Sequence, residues 1–189
     1  MRKGLLIVIS GPSAVGKDTI LRRLLEMDPK LRYSVSATTR PPRPGEIDGA
    51  NYTFVTREQF QRLVEEGSFL EHAEYAGNLY GTLRDRVAQA REAGYDIVLK
   101  IDVQGAEQVR QKIPDGVFIF VVPPSMQELE RRQTMRDSEA AEARAARRKI
   151  AEQEMAYSKH FDHIVVNDDV DRAAEEMFKI IQNARERQT

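Results

Sequence analysis

The feature that most constrains this chain is a glycine-containing loop between a short apolar segment and a helical pattern. Leu5–Ile9 is apolar and partly β-branched, which predicts a strand buried on both faces. The loop Gly11–Thr19 follows, and apolar residues then recur at helical spacing until Asp28-Pro29 ends the helix. Glycines let successive N–H groups point at one anion, and the start of the helix adds a partial positive charge. We therefore expect a phosphate group to bind at this loop.

Its sequence, GPSAVGKDT, matches the P-loop of proteins that bind nucleoside triphosphates. Lys17 is expected to reach the β- and γ-phosphates, which makes it a candidate catalytic residue as well as a binding residue. The pattern departs at Asp18, where a serine or threonine hydroxyl normally ligates Mg²⁺. Mg²⁺ bound with ATP is the expected cofactor, and Asp18 is the candidate metal ligand. The predicted ATP-binding residues are Gly11, Pro12, Ser13, Ala14, Val15, Gly16, Lys17, Asp18 and Thr19.

Buried strands alternate with helices along most of the remaining chain. Further strands are predicted at Asp96–Asp102, Val117–Val122 and His163–Val166. The predicted helices cover residues 82–93, 104–112, 125–136 and 169–185. This alternation predicts an α/β fold, with a P-loop NTPase-type parallel sheet flanked by helices.

Residues 34–81 break that alternation. Prolines at 41, 42 and 44 exclude a regular helix or a central strand there. A strand-like stretch at 51–55, the capping box Thr56–Gln59 and a hairpin around Ala76-Gly77 follow. We predict a small mixed α+β lobe inserted into the α/β core.

Composition excludes several classes of protein. Lys and Arg number 29 against 30 Asp and Glu in 189 residues, a net charge of −1 that disfavours non-specific binding to nucleic acid or anionic membrane. The absence of cysteine excludes disulfides and thiolate zinc sites. The longest apolar run, Val117–Val122, is far shorter than the roughly 20 residues of a membrane helix. With no cleavable signal pattern either, we expect a cytoplasmic protein with no nucleic-acid or membrane partner.

Motifs outside the loop follow the order in which they occur in guanylate kinases. They are Ser34–Glu46 with Gly49 and Tyr52, Phe69–Glu71, Gly77–Thr82, Ile101–Gly105, Pro123–Ser125 and Val165–Asp168. The chain thus resembles the guanylate kinase family over essentially its whole length. The resemblance implies transfer of the γ-phosphoryl group of ATP to GMP or dGMP, in purine nucleotide metabolism and GMP recycling. It also implies three regions: a core of residues 1–33, 83–126 and 161–189, a GMP-binding lobe of 34–82, and a helical lid of 127–160.

The GMP-binding residues implied by the resemblance are Ser36, Arg40, Arg43, Tyr52, Glu71, Tyr80, Thr82 and Asp102. Arg40 and Arg43 lie in a stiff, proline-bounded loop suited to holding a phosphate, and Arg40 is also a candidate catalytic residue. Glu71 can accept hydrogen bonds from N1–H and the 2-amino group of guanine, whereas adenine presents an acceptor at N1. The resemblance places the hydroxyls of Ser36 and Thr82 near O6. Asp102 is expected beside GMP, or as the cap of the helix that follows.

The basic stretch 131–149 holds seven basic residues against three acidic ones. The resemblance assigns Arg136 and Arg147 as catalytic arginines that close over the phosphates, with Arg132 as a weaker third. Because Arg148 follows Arg147 directly, which of the two points inward stays open. The alternative for Arg132 and Arg148 is a solvated helix face with ion pairs.

Lys100 stands where the family usually has an acidic residue, two positions before Asp102. We expect it to pair with Asp18, or Asp18 itself to ligate Mg²⁺ directly or through water. Asn167 is expected to help shape the adenine pocket.

Two other functions stay open at this point. One is a catalytically inactive guanylate-kinase-like module that docks peptides, which the intact Gly16-Lys17 and paired arginines disfavour. The other is a kinase of a phosphorylated ribose, in which Glu71 would have no base to read. Whether the protein is a monomer or a homo-oligomer is also left open.

Overall fold

The structure is a computed structural model that describes residues 2–134 and 141–188, with side chains over 2–134 and 148–188. The strands described are β1 (Leu6–Ser10), β2 (Leu31–Tyr33), β3 (Ala37–Thr38), β4 (Thr53–Phe54), β5 (Phe69–Tyr75), β6 (Asn78–Leu83), β7 (Asp96–Lys100), β8 (Val117–Val122) and β9 (His163–Val166). The helices described are α1 (Lys17–Met27), α2 (Arg57–Glu65), α3 (Arg84–Glu92), α4 (Val103–Lys112), α5 (Met126–Thr134), α6 (Ala141–Ala156) and α7 (Val170–Glu186).

Five parallel strands in the order β2-β7-β1-β8-β9 form the main sheet, which confirms the predicted fold class. Side chains of β1 alternate between the two faces. Ile7 and Ile9 pack into a cluster with residues of α1 and α7, whereas Leu6 and Val8 pack with residues of α3 and α4. Because both faces are covered, the central strand is apolar from Leu6 to Ile9, as its sequence predicted.

The edge strand β2 was not predicted. It has three residues, of which only Leu31 is buried, so no alternating pattern is long enough to be recognised. Pairing with β7 defines the strand, since Leu31 lies opposite Asp96.

The inserted lobe has its own four-stranded sheet, in the order β4-β3-β6-β5. The predicted capping box at the start of α2 is confirmed: Thr56 Oγ1 accepts a hydrogen bond from Gln59 N, and Gln59 Oε1 accepts one from Thr56 N. The hairpin between β5 and β6 turns at Ala76 and Gly77, both of which have positive φ. Thr53–Phe54 is shorter than the strand-like stretch predicted at 51–55.

A buried carboxylate fastens the ends of the chain to the main sheet. Asp96 is fully buried and accepts hydrogen bonds from Arg2 Nη2 at 2.9 Å and Arg185 Nε at 2.6 Å. It also accepts one from the backbone N–H of Leu5 at 2.6 Å. Asp96, the first residue of β7, therefore holds both the start of the chain and the end of α7.

None of the helices within 2–134 and 141–188 combines the length and the apolar composition needed to cross a membrane.

Candidate active site

A cleft of about 740 Å³ opens at the carboxyl ends of β1 and β7, between the main sheet and the inserted lobe. Ligands bind at this edge in open α/β sheets. The cleft is lined by the P-loop residues Gly11 and Ser13–Asp18, by the lobe residues Ser36, Arg40, Arg43, Tyr52, Glu71 and Tyr80, and by Lys100, Ile101 and Asp102 after β7. Of the predicted ATP- and GMP-binding residues, Pro12, Thr19 and Thr82 do not line it, and neither do the candidates Arg132, Arg148 and Asn167. Residues predicted for the two nucleotides thus share one cavity.

The two P-loop glycines have positive φ, 144° at Gly11 and 101° at Gly16. A Cβ at Gly11 would collide with the carbonyl oxygen of Val121, and one at Gly16 with the amide of Asn167. The loop needs glycine at both positions because of backbone conformation and close packing.

The outer side of the P-loop is fastened to the core by two side chains. Asn167 is buried and donates from Nδ2 to the carbonyl oxygen of Val15 at 2.7 Å. Arg132 donates to the same carbonyl at 3.3 Å and to the carbonyl of Asn167 at 3.1 Å. Arg132 therefore supports the loop and is not on a purely solvated helix face. A contact of Asn167 with adenine stays a prediction.

Lys17 turns back onto its own loop. Its Nζ donates to the carbonyl oxygens of Gly11 and Pro12, the latter at 2.9 Å. Burial lowers the pKa of Lys17 to about 8, against the opposing charges of Glu154 and Asp18. The ammonium that would meet the phosphates is thus already inside the loop.

Glu154, on α6, is a cleft residue that sequence reasoning missed. Its side chain is buried, with 8% exposed, and interacts with Lys17 and with the backbone of Ser13. Burial raises the pKa of its carboxyl group, and Oε2 has no hydrogen-bond partner among the described residues. No sequence signal distinguishes it from the other acidic residues of a charged helix.

Lys100 forms an ion pair with Asp18, the first of the two arrangements predicted for them. The Lys100 side chain is 13% exposed and that of Asp18 is 71% exposed. Burial opposes the charge of Lys100, but the neighbouring Tyr33, Tyr52 and Asp18 raise its pKa above the ordinary value. A charged ammonium therefore stands inside the cleft at the end of β7.

Arg40 is already paired inside the lobe. Its Nη2 lies 2.8 Å from Glu46 Oε1, and its guanidinium lies 5.3 Å from the centre of the Tyr52 ring. The ring centres of Tyr52 and Tyr80 are 6.0 Å apart. Glu46 also accepts a hydrogen bond from the backbone N–H of Arg43, whose side chain is exposed. Glu46, which was not predicted as a site residue, shapes the loop that carries both arginines.

Glu71, on β5, lines the cleft and is buried, with 4% exposed. Thr82 donates from Oγ1 to Glu71 Oε1 at 2.5 Å, so the expected contact of Thr82 with guanine O6 stays a prediction. Burial raises the pKa of Glu71 to about 7. A Cβ at Gly105, in the first turn of α4, would collide with Glu71 Oε2. The carboxylate is thus confined from both sides.

Asp102 is confirmed as a helix cap, and its expected place beside GMP stays a prediction. It caps α4 by accepting a hydrogen bond from the backbone N–H of Gly105 at 2.8 Å, and it also lines the cleft. Burial raises the pKa of its carboxyl group.

The predicted lid arginines are outside the described part of the structure. Arg136 lies outside the described residues, as does the side chain of Arg147. Arg148 is described and forms ion pairs with Glu130 at 3.0 Å and Glu152 at 2.9 Å. Its exposed position agrees with the alternative of a solvated face.

The described residues contain no cluster of three or more His, Asp or Glu side chains suited to hold a metal ion. Asp18, the candidate ligand, is held by Lys100. These residues do not form a protein cage for Mg²⁺, an ion that is commonly bound through phosphate oxygens and water.

Comparison with known proteins gives consistent matches. The family model described as guanylate kinase matches residues 3–184. A guanylate kinase of Rubrobacter xylanophilus is 52% identical over 182 residues, covering 96% of this chain and 95% of the relative. One of Desulfitobacterium hafniense is 50% identical over 178 residues, covering 94% and 89%. The crystal structure of a guanylate kinase from Anaplasma phagocytophilum has a TM-score of 0.82 at 35% identity, covering 96% of this chain and 86% of that one.

Proposed function

This chain belongs to the guanylate kinase family, and from that premise we propose that its cleft transfers the γ-phosphoryl group of ATP to GMP, giving ADP and GDP. One observation supports the proposal above all others. A buried carboxylate able to read a purine, Glu71, shares a single cavity with a glycine loop able to hold polyphosphate. Neither a peptide-docking module nor a kinase of phosphorylated ribose would need this pair.

On the donor side, the backbone N–H groups of the P-loop and the start of α1 bind the phosphates of ATP. Lys17 exchanges its carbonyl partners for phosphate oxygens. Gly11 and Gly16 keep the loop open enough for this approach, and Asn167 holds the loop from behind.

On the acceptor side, Glu71 accepts the N1–H and 2-amino protons of guanine. Adenine has a lone pair at N1, so its complex would leave a buried carboxylate unpaired. Arg40 and Arg43, with the hydroxyls of Tyr52 and Tyr80, bind the phosphate of GMP. None of the groups named here is proposed to bind the sugar, so dGMP is proposed as a second acceptor.

In the chemical step a phosphate oxygen of GMP attacks the γ-phosphorus of ATP in line. The bond from that phosphorus to the β–γ bridging oxygen breaks, and its electron pair leaves with ADP. The acceptor oxygen is already largely ionised near neutral pH, so no dedicated base is needed. The protein contributes alignment and positive charge through Lys17 and Arg40, with Arg136 and Arg147 proposed for the closed lid.

We propose that Mg²⁺ enters with ATP, bound mainly to phosphate oxygens and water. When bound, the ion neutralises part of the phosphate charge. Asp18, directly after Lys17, is the carboxylate proposed to approach the ion through a bound water, which leaves its ion pair with Lys100 in place.

A coupled assay that detects ADP tests this function. ATP is offered in parallel with GMP, dGMP, AMP, UMP and ribose 1,5-bisphosphate. Turnover with GMP and dGMP, and at least about a hundredfold less with AMP, is expected from an unpaired buried carboxylate. Turnover with the bisphosphate alone would show that the acceptor is a phosphorylated ribose. Absence of turnover with every acceptor offered would favour the docking module.

A further inference from the structure

Lys100 lies between the two ends of the cleft. It is the last residue of β7 and pairs in register with Ile9 of β1, two residues before the P-loop begins. Its ammonium holds the carboxylate of Asp18, the neighbour of Lys17. The charges of Lys17 and Lys100 are close enough for Lys100 to lower the pKa of Lys17. The charge of Lys100 therefore acts on the part of the cleft proposed to hold the donor phosphates.

The same ammonium is close to the acceptor end. Lys100 Nζ lies 5.7 Å from the centre of the Tyr52 ring, and the Arg40 guanidinium lies 5.3 Å from the centre of that ring. Tyr52 thus has one cation from the lobe and one from the main sheet beside it. Among the described side chains, Lys100 thus lies near both the region of Lys17 and that of Arg40.

We propose that Lys100 is a further catalytic residue of the reaction proposed above, with its ammonium contacting oxygens of the phosphoryl group as it passes between the two nucleotides. Asp18 is its positioning residue. The passing group carries negative charge spread over its equatorial oxygens, and a cation fixed in advance stabilises that charge without reorganisation. This inference rests on the proposed function.

The unequal exposure of the pair supports this division of roles. The Asp18 carboxylate is mostly in water, which screens its charge, whereas Lys100 is largely enclosed by the cleft wall. An ion pair with one exposed partner adds little to folding stability. Its effect should therefore appear in catalysis more than in the free energy of unfolding.

The first test is steady-state kinetics of Lys100→Met, which keeps most of the stem and removes the charge. A decrease in kcat of about a hundredfold is expected, comparable with the loss of one transition-state donor, with the KM values for ATP and GMP nearly unchanged. Lys100→Arg should recover part of the rate. Lys179→Met, on the exposed face of α7, is the matched control and should leave kcat unchanged.

Asp18→Asn tests the positioning role. It should lower kcat by about tenfold, and the double variant with Lys100→Met should be no slower than Lys100→Met alone, because both changes act on one cation. Independent, multiplying effects would overturn the role given to Asp18.

A binding measurement separates catalysis from structure. Calorimetry compares GMP, ADP and a bisubstrate analogue in which adenosine and guanosine are joined by five phosphates. Lys100→Met should weaken the analogue by about tenfold, as expected for one lost charge-assisted contact, and leave GMP and ADP unchanged. Equal binding of the analogue by both proteins, or kcat within twofold of wild type, would overturn the inference. If the methionine variant unfolds on heating below the wild type, Lys100→Gln replaces it.

The outcomes for the two proposals are distinct. If the wild-type protein does not phosphorylate GMP, the proposed function is wrong. If the wild type phosphorylates GMP and Lys100→Met is fully active, only the role proposed for Lys100 is wrong.

Discussion

The hydroxyl of Thr82 donates a 2.5 Å hydrogen bond to Oε1 of Glu71 from the directly opposite position on the neighbouring strand. Both side chains are buried. The bond fixes the direction of the carboxylate before any ligand arrives, which reduces the ordering that binding requires. The guanine recognition proposed for Glu71 would therefore be preorganised by the pairing of β5 with β6.

Glu71→Gln should reduce kcat/KM for GMP by about 10- to 150-fold, the range for losing a hydrogen bond to a charged group. A neutral amide can accept one guanine proton but presents an N–H to the other. The steady-state rate with GMP measures the effect, and the unfolding temperature should change little because Thr82 can still donate. Glu74→Gln, an exposed change on the same strand, is the control.

The KM for GMP should depend on pH through Glu71, whose pKa burial raises to about 7. The ionised form accepts both guanine protons, so affinity is present above pH 7 and is lost as the pH falls. Between pH 7.5 and pH 6 the KM should rise by up to about tenfold. The phosphate of GMP titrates in the same range, and Glu71→Gln corrects for it. Equal pH profiles of the two proteins would contradict this assignment.

Gly105→Ala should weaken GMP binding without unfolding the protein. Alanine favours a helix by about 1 kcal/mol relative to glycine, but its methyl group would collide with Glu71 Oε2. The carboxylate must then turn away from the base. We expect the KM for GMP to rise about tenfold or more while ADP binding by calorimetry stays unchanged, and Gln104→Ala to have neither effect.

Glu154→Gln should tighten ADP binding several-fold. The carboxylate of Glu154 interacts with Lys17 and with the backbone of Ser13, where it competes with the phosphates for the same groups. Burial raises the pKa of the Glu154 carboxyl group, so as the pH falls this carboxylate takes up a proton earlier than an exposed glutamate does. The difference in ADP affinity between wild type and variant should therefore shrink as the pH is lowered. Weaker binding by the variant would show that the carboxylate assists the nucleotide.

Asp96→Asn should destabilise the fold by about 3 kcal/mol, because buried Asp96 holds Arg2 and Arg185 at once. Urea unfolding gives the free energy. Asp171→Asn removes a partner from an exposed pair with Arg23 and should cost less than about 1 kcal/mol. Similar values for both would contradict the anchoring role of Asp96.

The sequence allowed correct prediction of features that depend only on residues adjacent along the chain. The strand before Gly11, the capping box at Thr56 and the strand His163–Val166 each depend on neighbouring residues, and the structure confirms them. The cap at Asp102 belongs to the same class.

The features that were missed depend on contacts between distant parts of the chain. The edge strand β2 is defined by pairing with Asp96 and its neighbours, 65 residues away in the case of Leu31. Glu154 reaches the P-loop from a helix more than a hundred residues later. Gly105 looks like an unfavourable residue in a helix until the position of Glu71 is known. Sequence patterns over a few neighbouring residues carry no information on contacts between distant parts of the chain.

The loop salt bridge of Arg40 with Glu46 has a consequence for selectivity among anions. Because Glu46 balances the charge of Arg40 at 2.8 Å, this guanidinium offers little net attraction to a small ion such as inorganic phosphate or sulfate, whereas the exposed Arg43 keeps its charge. A ligand that is also bound through its purine ring would stay long enough for its phosphate to replace Glu46 as the partner of Arg40. The proposed recognition of the base by Glu71 would therefore come before Arg40 changes partner from Glu46 to the phosphate of the same ligand.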